Sequence, residues 1–466
     1  MTLLAALGIA ATVQGPAIAA PTPTPDEASF RELYKELVET NTTLSVGDCT
    51  LAATKMAARL KGAGYPDADV QVWTEPNHPK EGGLFARLAG KDASAKAVLM
   101  LGHIDVVEAK REDWTRDPFK LVEEGGYFYG RGTADMKGQD AIWVDTLIRF
   151  KKEGYTPQHT IKLALTCGEE TAGAFNGAEY LAKSKRDLID AAFAVTEGGG
   201  GRLSEDGKPV FLGIQVAQKF PQDYTLEITN PGGHSSRPVP ANAINELAVA
   251  LTHIANYNFP ITFNETTRAY FTEMAKIKGG ADGAAMLAMI KNPKDAKAEA
   301  QLVANPDYNS ILHTTCIATM LDAGHATNAL PQRARANINC RIFPGTSVEE
   351  VRKTLETVAA AKELKITLRS TRSAVAPSPP LDPKVIGPAQ ALAKEMFPGV
   401  PNLVTMSAGA TDAAFLTPVG IPTYGISGNF SDPDGGGVHG LNERIHVKSL
   451  MDARAYLYRL MKMYGG

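Results

Sequence analysis

The sequence predicts an α/β protein: a mostly parallel mixed-sheet domain with helices on both faces, interrupted by a smaller inserted α+β lid domain. Its 466 residues are too many for one hydrophobic core. Short apolar runs alternate with stretches of helical period towards both ends of the chain, as in βαβ units. Between them, residues 220–229 alternate polar and apolar side chains like a half-exposed strand. The predicted larger domain spans 30–215 and 373–466, and the lid 216–372.

The secondary structure of the first segment is predicted from the spacing of its apolar residues and from the turn-forming residues between them. Apolar residues at helical spacing predict helices, and short apolar or β-branched runs bounded by Gly, Pro or Asn predict strands. The predicted helices are Glu27–Thr40, Leu51–Ala63, Lys137–Lys152 and Asn176–Ser184, and the predicted strands are Val70–Trp73, Gly83–Leu88, Ala97–Leu101, Tyr127–Tyr129, Ile161–Thr166 and Ala191–Thr196.

The lid is predicted from strands on both sides of a helical stretch. Residues 258–310 are rich in Lys, Ala and Asn-Pro signals and form a helical extension of that domain. The remaining lid elements are strands Phe220–Thr229, Thr314–Asp322, Arg333–Ile342 and Lys365–Arg369 with helices Ala243–Tyr257 and Ser347–Ala361. Helices 384–396 and 448–463 then belong to the larger domain.

Composition excludes some function classes. The chain has 48 Lys and Arg against 51 Asp and Glu, a net charge of −3, and its basic residues are scattered. A nucleic-acid binder would concentrate basic residues on one surface, so no nucleic-acid partner is expected.

The N-terminus resembles an export signal. Residues 3–13 are apolar and uncharged, which is too short a run for a stable membrane span. Ala17-Ile-Ala19 has the small-x-small pattern of a cleavage site, and a Pro/Thr-rich run follows. We predict a signal peptide over 1–19, cleaved after Ala19, a spacer over 20–29, and a periplasmic or secreted protein. The basic segment that usually precedes such an apolar run is missing, because Met1-Thr2 carries no Lys or Arg. The alternative is a frayed apolar tail.

The four cysteines do not form a zinc finger. No pair has CxxC spacing, which excludes a closed structural zinc site of that type. An oxidising compartment would allow disulfides, but no pairing follows from the sequence. Cys167, at the end of an apolar strand, is expected to be a small buried residue.

Five side chains, in strand-end or glycine-rich contexts, are candidate metal ligands. In open α/β sheets, sites form beyond the carboxyl ends of the strands, and imidazole and carboxylate are ligands that Zn²⁺ accepts. Any one of these residues on its own could equally well have a structural role or be exposed to solvent. Together they provide two sets of three ligands if one carboxylate bridges, which leaves open positions for a shared water. The candidates are His103, Asp135, Glu170, Glu197 and His439.

Two further carboxylates stand beside these ligands. Asp105 could orient the ring of His103. Glu169 and Glu170 point in different directions if the backbone is extended, so that Glu170 can bind a metal while Glu169 handles protons. The alternative is a solvated pair at a helix start.

The order of these motifs resembles one family. HxD, GRGxADMKG, EE, a strand-end Glu, GGHSS and a late His are similar to the co-catalytic dizinc peptidases, which include carboxypeptidase G, aminoacylase, acetylornithine deacetylase and succinyl-diaminopimelate desuccinylase. The resemblance implies that His103 and Glu197 hold one zinc, Glu170 and His439 the other, and Asp135 bridges both. It also implies that Asp105 supports His103, that Glu169 is the general base, and that the Asp135–Met136 peptide is cis.

The same resemblance assigns substrate contacts. The lid of the family dimerises, and His234 of GGHSS would stabilise the oxyanion in the partner's site. Asn328 and Arg341 would hold the substrate, with Arg341 on its carboxylate, and Gly409 and Thr411 would line the pocket. The long segment 258–310 distinguishes this lid from compact members.

We therefore expect a zinc-dependent hydrolase with two Zn²⁺ per subunit, Co²⁺ or Mn²⁺ being possible substitutes. Its substrate would be a small peptide or N-acyl amino acid whose amide bond lies next to a free carboxylate. Glu197, where some relatives have Asp, favours the acylase and carboxypeptidase branch over the dipeptidase branch. The alternatives are an aminoacylase or deacylase rather than a carboxypeptidase, and a non-catalytic periplasmic binding protein of the same fold.

Overall fold

A computed structural model describes residues 24–171, 173–369 and 378–466. The predicted signal peptide, 1–19, lies outside these residues. The predicted spacer, 20–29, ends inside the first helix, because Thr24 caps a helix that begins at Pro25. Thr24 and Glu27 form a reciprocal capping box, which satisfies two of the backbone N–H groups that a helix start leaves without partners.

The first segment alternates helices and strands as predicted, and adds strands around residues 200–218. Its helices are α1 Pro25–Val38, α2 Cys49–Gly62, α3 Lys137–Lys152, α4 Gly177–Ser184 and α5 Arg186–Ile189. Its strands are β1 Val70–Glu75, β2 His78–Leu88, β3 Val98–His103, β4 Val122–Glu124, β5 Tyr127–Tyr129, β6 Ile161–Thr166, β7 Phe193–Thr196, β8 Gly200–Leu203 and β9 Pro209–Gln218.

The inserted region follows, and then the chain returns to the first domain. The helices of the insert are α6 Ala243–Ala255, α7 Glu265–Lys278, α8 Gly280–Lys291, α9 Ala296–Val303, α10 Pro306–Leu312 and α11 Val348–Ala359, and its strands are β10 Phe220–Thr229, β11 Gly233–His234, β12 Thr315–Ala323, β13 Ala329–Leu330, β14 Arg333–Ile342 and β15 Lys365–Leu368. The returning elements are α12 Pro383–Met396, β16 Asn402–Ser407, α13 Ala413–Leu416, β17 Thr423–Gly425, β18 Phe430–Ser431, β19 Arg444–His446 and α14 Val447–Gly465.

The large sheet has the order β1-β2-β6-β3-β7-β17-β9-β8-β18, with β16 paired to β9. The centre, β6-β3-β7-β17, is parallel, and antiparallel strands lie towards its sides. Strand β3 is buried along its whole length. Val98 and Met100 belong to one hydrophobic cluster with α1, α2, α3 and α14, whereas Leu99 and Leu101 belong to another with α4 and α13. Helices therefore cover both faces, as the sequence predicts.

The smaller sheet, β12-β14-β10-β15, is antiparallel. Tyr224, Leu226 and Ile228 alternate along β10 and pack with α6 and α11 in a separate core. This is the α+β arrangement expected of the lid.

The helices α7–α10 pack mainly outside that core. Phe271, Met286 and Leu302 form a cluster with Leu403 and Met406 of β16, which belongs to the large sheet. The extension that sequence analysis attached to the lid therefore shares its apolar contacts with the catalytic domain.

All four cysteines form disulfides: Cys49–Cys167 and Cys316–Cys340. Cys167 is buried, as expected, but it is not a lone thiol. The bond ties the start of α2 to the segment that follows β6. The second bond joins opposite residues of β12 and β14.

Replacing Cys49 and Cys167 together by serine is expected to destabilise the protein more than replacing Cys316 and Cys340. The two bonds span 118 and 24 residues, and loop-closure entropy then gives about 5 and about 3.5 kcal/mol. Denaturant unfolding of the two double variants under non-reducing conditions measures the difference. Equal losses would show that chain entropy does not decide the ranking.

Among the helices of the described residues, we find none that combines the length and apolar character needed to cross a membrane.

Candidate metal centre

Three neighbouring parallel strands bring candidate ligands to one edge of the large sheet. β3 ends at His103, the segment after β6 carries Glu169 and Glu170, and Glu197 follows β7. Because β6, β3 and β7 are adjacent and parallel, their carboxyl ends share one edge. The turn before α3 adds Asp135 there.

Two groups of three side chains meet at this edge and share Asp135. His103 Nε2 lies 3.4 Å from Asp135 Oδ1 and 3.6 Å from Glu197 Oε1. His439 Nε2 lies 3.2 Å from Asp135 Oδ2 and 2.8 Å from Glu170 Oε2. The two oxygens of Asp135 thus face different histidines, as a bridging carboxylate requires. We call these residues the five-residue cluster.

The cluster suits divalent cations. Donors about 2.05 Å from a tetrahedral ion are about 3.3 Å apart, close to three of the four distances above. His103 Nε2 is buried and has no hydrogen-bond partner among the described residues. A buried nitrogen of this kind is costly unless something binds it, and a cation would.

The charges of the cluster are strongly coupled. Burial disfavours protonation of His103, but Glu197 and Asp135 still hold its pKa well above the usual range. Hydrogen bonds to Asp135 and Glu170 raise the pKa of His439 to about 10. Burial raises the pKa of Glu197 to about 7, although His103 opposes the shift. Three carboxylates around two imidazoles therefore form a site that attracts positive charge.

Asp105 contacts His103 through its backbone more closely than through its carboxylate. The carbonyl oxygen of Asp105 is 3.2 Å from His103 Nδ1, and Oδ1 is 3.6 Å away. Asp105 Oδ2 accepts a 3.0 Å hydrogen bond from the backbone N–H of Glu170. Asp105 thus links the segments that carry one ligand of each group.

Glu169 lies beside the cluster in a mostly buried position. Burial raises its pKa well above the usual range; His103 opposes this, and Glu197, Asp412 and Glu170 add to it. Asp412 is fully enclosed and accepts hydrogen bonds from Thr166 Oγ1 and Asn176 Nδ2 at 2.9 and 2.8 Å. Sequence analysis did not single out Asp412, although it adjoins Thr411.

Glu443 is a second functional residue that sequence analysis did not assign. Its buried carboxylate accepts hydrogen bonds from Arg131 Nη1 at 2.7 Å and from the backbone N–H groups of Gly132, Ala134 and Asp135 at 2.8–3.1 Å. Glu443 therefore fixes the turn that presents Asp135. The Asp135–Met136 peptide is cis, as expected from the family resemblance.

Glu443→Gln is expected to weaken metal binding by about 10–100-fold, because residues that orient ligands have effects of this size. It is also expected to cost about 3–5 kcal/mol of stability, since Arg131 would lose its buried counter-charge. Metal titration and thermal unfolding measure the two effects, with exposed Glu395→Gln as the matched control. Unchanged metal affinity in a destabilised protein would reduce Glu443 to a structural role.

The predicted substrate residues lie in several places. His234 is exposed on β11, and its Nδ1 accepts hydrogen bonds from Ser236. Asn328 adjoins it, because its carbonyl accepts a 3.0 Å hydrogen bond from the N–H of Ser235. Arg341, on β14, lines a separate cleft of about 540 Å³ with residues of α6 and β12. His234, Asn328 and Arg341 thus lie on the lid.

Two of the predicted pocket residues lie on the loop after β16. Thr411 is buried and donates a 2.8 Å hydrogen bond to Gln218 Oε1, which ties this loop to the end of β9. Gly409 is exposed, and its N–H bonds to Ser407 Oγ.

A family model described as peptidase family M20/M25/M40 matches residues 99–463. The chain belongs to this family. Within it, the chain is 28% identical over 386 residues to the human N-fatty-acyl-amino acid synthase/hydrolase PM20D1, covering 80% of this chain and 75% of that protein.

Two solved structures of the family have the same fold. The M20 family metallo-carboxypeptidase Sso-CP2 from Sulfolobus solfataricus has a TM-score of 0.70 and 19% identity, covering 95% of this chain and all of that one. The Bacillus subtilis YXEP protein, a dinuclear metal-binding peptidase, has a TM-score of 0.59 and 13% identity, covering 94% and 98%. These likenesses, together with the family match, identify the chain as an M20 hydrolase with candidate ligands for a metal pair.

Proposed function

We propose that this M20 hydrolase uses two zinc ions to cleave an amide bond next to a free carboxylate. The observation that carries the proposal is the pair of ligand groups that share Asp135, with Glu169 beside them. In our assignment, His103 and Glu197 hold one ion, Glu170 and His439 hold the other, and Asp135 bridges. Co²⁺ and Mn²⁺ suit the same nitrogen and oxygen ligands.

When bound, such ions polarise the scissile carbonyl and lower the pKa of water. Glu169 accepts the proton of the attacking water and returns it to the leaving nitrogen. Burial and the neighbouring carboxylates raise the pKa of Glu169 above that of an ordinary glutamate, and a stronger base accepts a proton more readily. Asp105 holds His103 and the backbone of Glu170 in place.

The lid would supply the substrate contacts. We assign the substrate carboxylate to the planar guanidinium of Arg341 from the family resemblance, since in the structure Arg341 lines a different cleft. Asn328 is assigned to the substrate on the same ground. His234 donates to the oxyanion of the tetrahedral intermediate, a contact whose loss typically costs about 10²–10³ in turnover. Gly409 and Thr411 line the pocket on the catalytic domain.

Between the two substrate classes, the comparisons favour N-acyl amino acids. The PM20D1 relative is named for that chemistry and covers most of this chain. Metallo-carboxypeptidase Sso-CP2 supports a peptide substrate, but at 19% identity it shares the fold alone.

The test is a substrate panel run beside metal analysis. N-acyl amino acids and dipeptides, each with and without a blocked carboxylate, are incubated with the full chain before and after chelator treatment. We expect two zinc ions per chain, hydrolysis that requires the free carboxylate, loss with chelator and recovery with Zn²⁺. Tight ligand binding without hydrolysis of any member would instead identify a binding protein.

We further propose a homodimer through the lid. Strand β12 is an edge strand, and Ile317 and Leu321 on it are each 68% exposed. An exposed apolar edge is a template for pairing with another strand. A dimer would place His234 in the partner's site.

Replacing Ile317 and Leu321 by lysine is therefore expected to yield a monomer, because the charges oppose edge pairing. Sedimentation equilibrium measures the oligomeric state, and the control is Val419→Lys, at an exposed position of the catalytic domain. A wild-type protein that is already monomeric would contradict the proposal.

Export is proposed from residues 1–19, with cleavage after Ala19 and a periplasmic or secreted destination. The two disulfides support an oxidising compartment. N-terminal sequencing of protein recovered outside the cytoplasm tests the cleavage site.

A further inference from the structure

The helical extension forms one side of an open cleft, whose lining includes Gly409 of the proposed substrate pocket. The cleft has a volume of about 800 Å³, within the range of ligand pockets. One wall comes from the large sheet and the other from α7 and α10. Its apolar lining consists mainly of Val210, Phe211, Tyr270, Met274, Ile311 and Met406.

Three segments connect this cleft with the candidate metal centre. Gly199–Gly201 line it and begin two residues after Glu197, so the Cα of Gly199 is at most about 7.6 Å from that of Glu197. Ser407–Gly409 line it and lead to Thr411, and Ser431 and Pro433 line it upstream of His439. Lining residues thus lie two residues after Glu197, two before Thr411 and six before His439 along the chain.

The glycine run makes this close passage possible. Gly198, Gly199 and Gly200 all have positive φ, between 66° and 91°, which other residues rarely adopt. A Cβ at Gly199 would also lie 2.6 Å from the carbonyl oxygens of Gly213 and Gly425. The backbone that leaves Glu197 is thus pressed against the sheet.

The charged side chains that line the cleft, Arg202, Glu205, Lys278 and Asp307, are all exposed. Arg202 and Asp307 form an exposed ion pair, with 3.4 Å between Nη1 and Oδ2, that joins β8 to α10. Buried Met274, Ile311 and Met406 lie among the lining residues. Apolar walls with exposed charged side chains suit a long apolar group whose polar end stays at the metal centre.

We propose that this cleft binds the acyl chain of an N-acyl amino acid substrate, and that α7–α10 are the specificity element for long chains. The inference rests on the proposed amide hydrolysis and adds where the acyl group lies. Each methylene that enters the cleft is expected to raise kcat/KM by up to about fourfold, from about 0.8 kcal/mol per buried methylene.

The test compares N-acetyl, N-hexanoyl, N-decanoyl and N-tetradecanoyl derivatives of one amino acid. In the wild-type protein, kcat/KM should rise with chain length by at least about 10²-fold overall. Ala408→Phe projects a ring from the cleft lining and should lower the ratio of long-chain to short-chain kcat/KM by about tenfold or more. Val210→Phe, on β9, is a second filling variant in case the first does not fold.

Ala284→Phe is the matched control, because Ala284 is exposed on α8 and does not line the cleft. It should keep the wild-type ratio. Hydrolysis of the acetyl substrate without any gain from longer chains, or filling variants with the wild-type ratio, would overturn the cleft assignment while leaving the amide hydrolase intact.

A binding measurement separates the two hypotheses further. Calorimetric titration of metal-stripped protein with the same ligands should show affinity that increases with chain length and is lost in the filling variants. That result would support the cleft even if the hydrolysis assay failed. Affinity independent of chain length would overturn it.

Discussion

Asp135→Asn is expected to remove both cations together and to reduce turnover by about 10³-fold or more. Each oxygen of Asp135 faces a different histidine, at 3.4 and 3.2 Å, so this one carboxylate belongs to both ligand groups. Asparagine is neutral and offers one oxygen in place of two. The several kcal/mol of transition-state stabilisation that metal ions supply would be lost with them. Metal content by atomic emission and kcat on the best substrate measure the two effects.

The matched control is Asp140→Asn, five residues further along the chain. Asp140 is fully buried, neither of its oxygens has a hydrogen-bond partner among the described residues, and burial raises its pKa well above the usual range. Asp140 belongs to neither ligand group, so the variant should retain both metals. If Asp135→Asn kept two metals per chain and ordinary turnover, the bridging assignment would be wrong.

The ligand-bearing strand ends could be predicted because the signals are local. A buried apolar run, a turn and an imidazole or carboxylate lie within a few residues at His103, Glu170 and Glu197. The parallel order of β6, β3 and β7 then brings them to one edge. Asp135 and His439 were weaker candidates, because each lies in a loop whose path is not a local property, and the family resemblance strengthened both.

The residues that support the ligands were beyond sequence analysis for a physical reason. Glu443 contacts Arg131 across 312 residues, and Asp412 contacts Thr166 across 246. A carboxylate in a loop has the same local signature whether it faces solvent or accepts several buried hydrogen bonds. Only the tertiary fold distinguishes these cases.

The helical extension shows the same limit. Helical period predicted helices over 258–310, and α7–α10 lie mostly within that range. Their packing partner did not follow, because Leu403 and Met406 of β16 lie about a hundred residues further along the chain. The pairing of the cysteines also depends on the tertiary fold. Four cysteines allow three pairings, and the structure has one of them.

Glu169→Gln is expected to leave both metals bound and to reduce hydrolysis by about 10²–10⁴-fold, the usual contribution of a positioned general base. Glu169 is outside both ligand groups, whereas its neighbour Glu170 lies 2.8 Å from His439. Glutamine preserves the volume of the side chain but cannot accept the proton of the attacking water. Metal analysis and kcat are measured on the same preparation.

Glu170→Gln is the matched control, because both variants replace one of two adjacent carboxylates by an amide. Their expected defects differ. Glu170→Gln is expected to lose metal from the His439 side and to recover part of its activity when Zn²⁺ is added in excess. Glu169→Gln should not respond to added metal, since its defect is in proton transfer. Ordinary turnover in Glu169→Gln, or a metal loss equal to that of Glu170→Gln, would show that Glu169 is not the base.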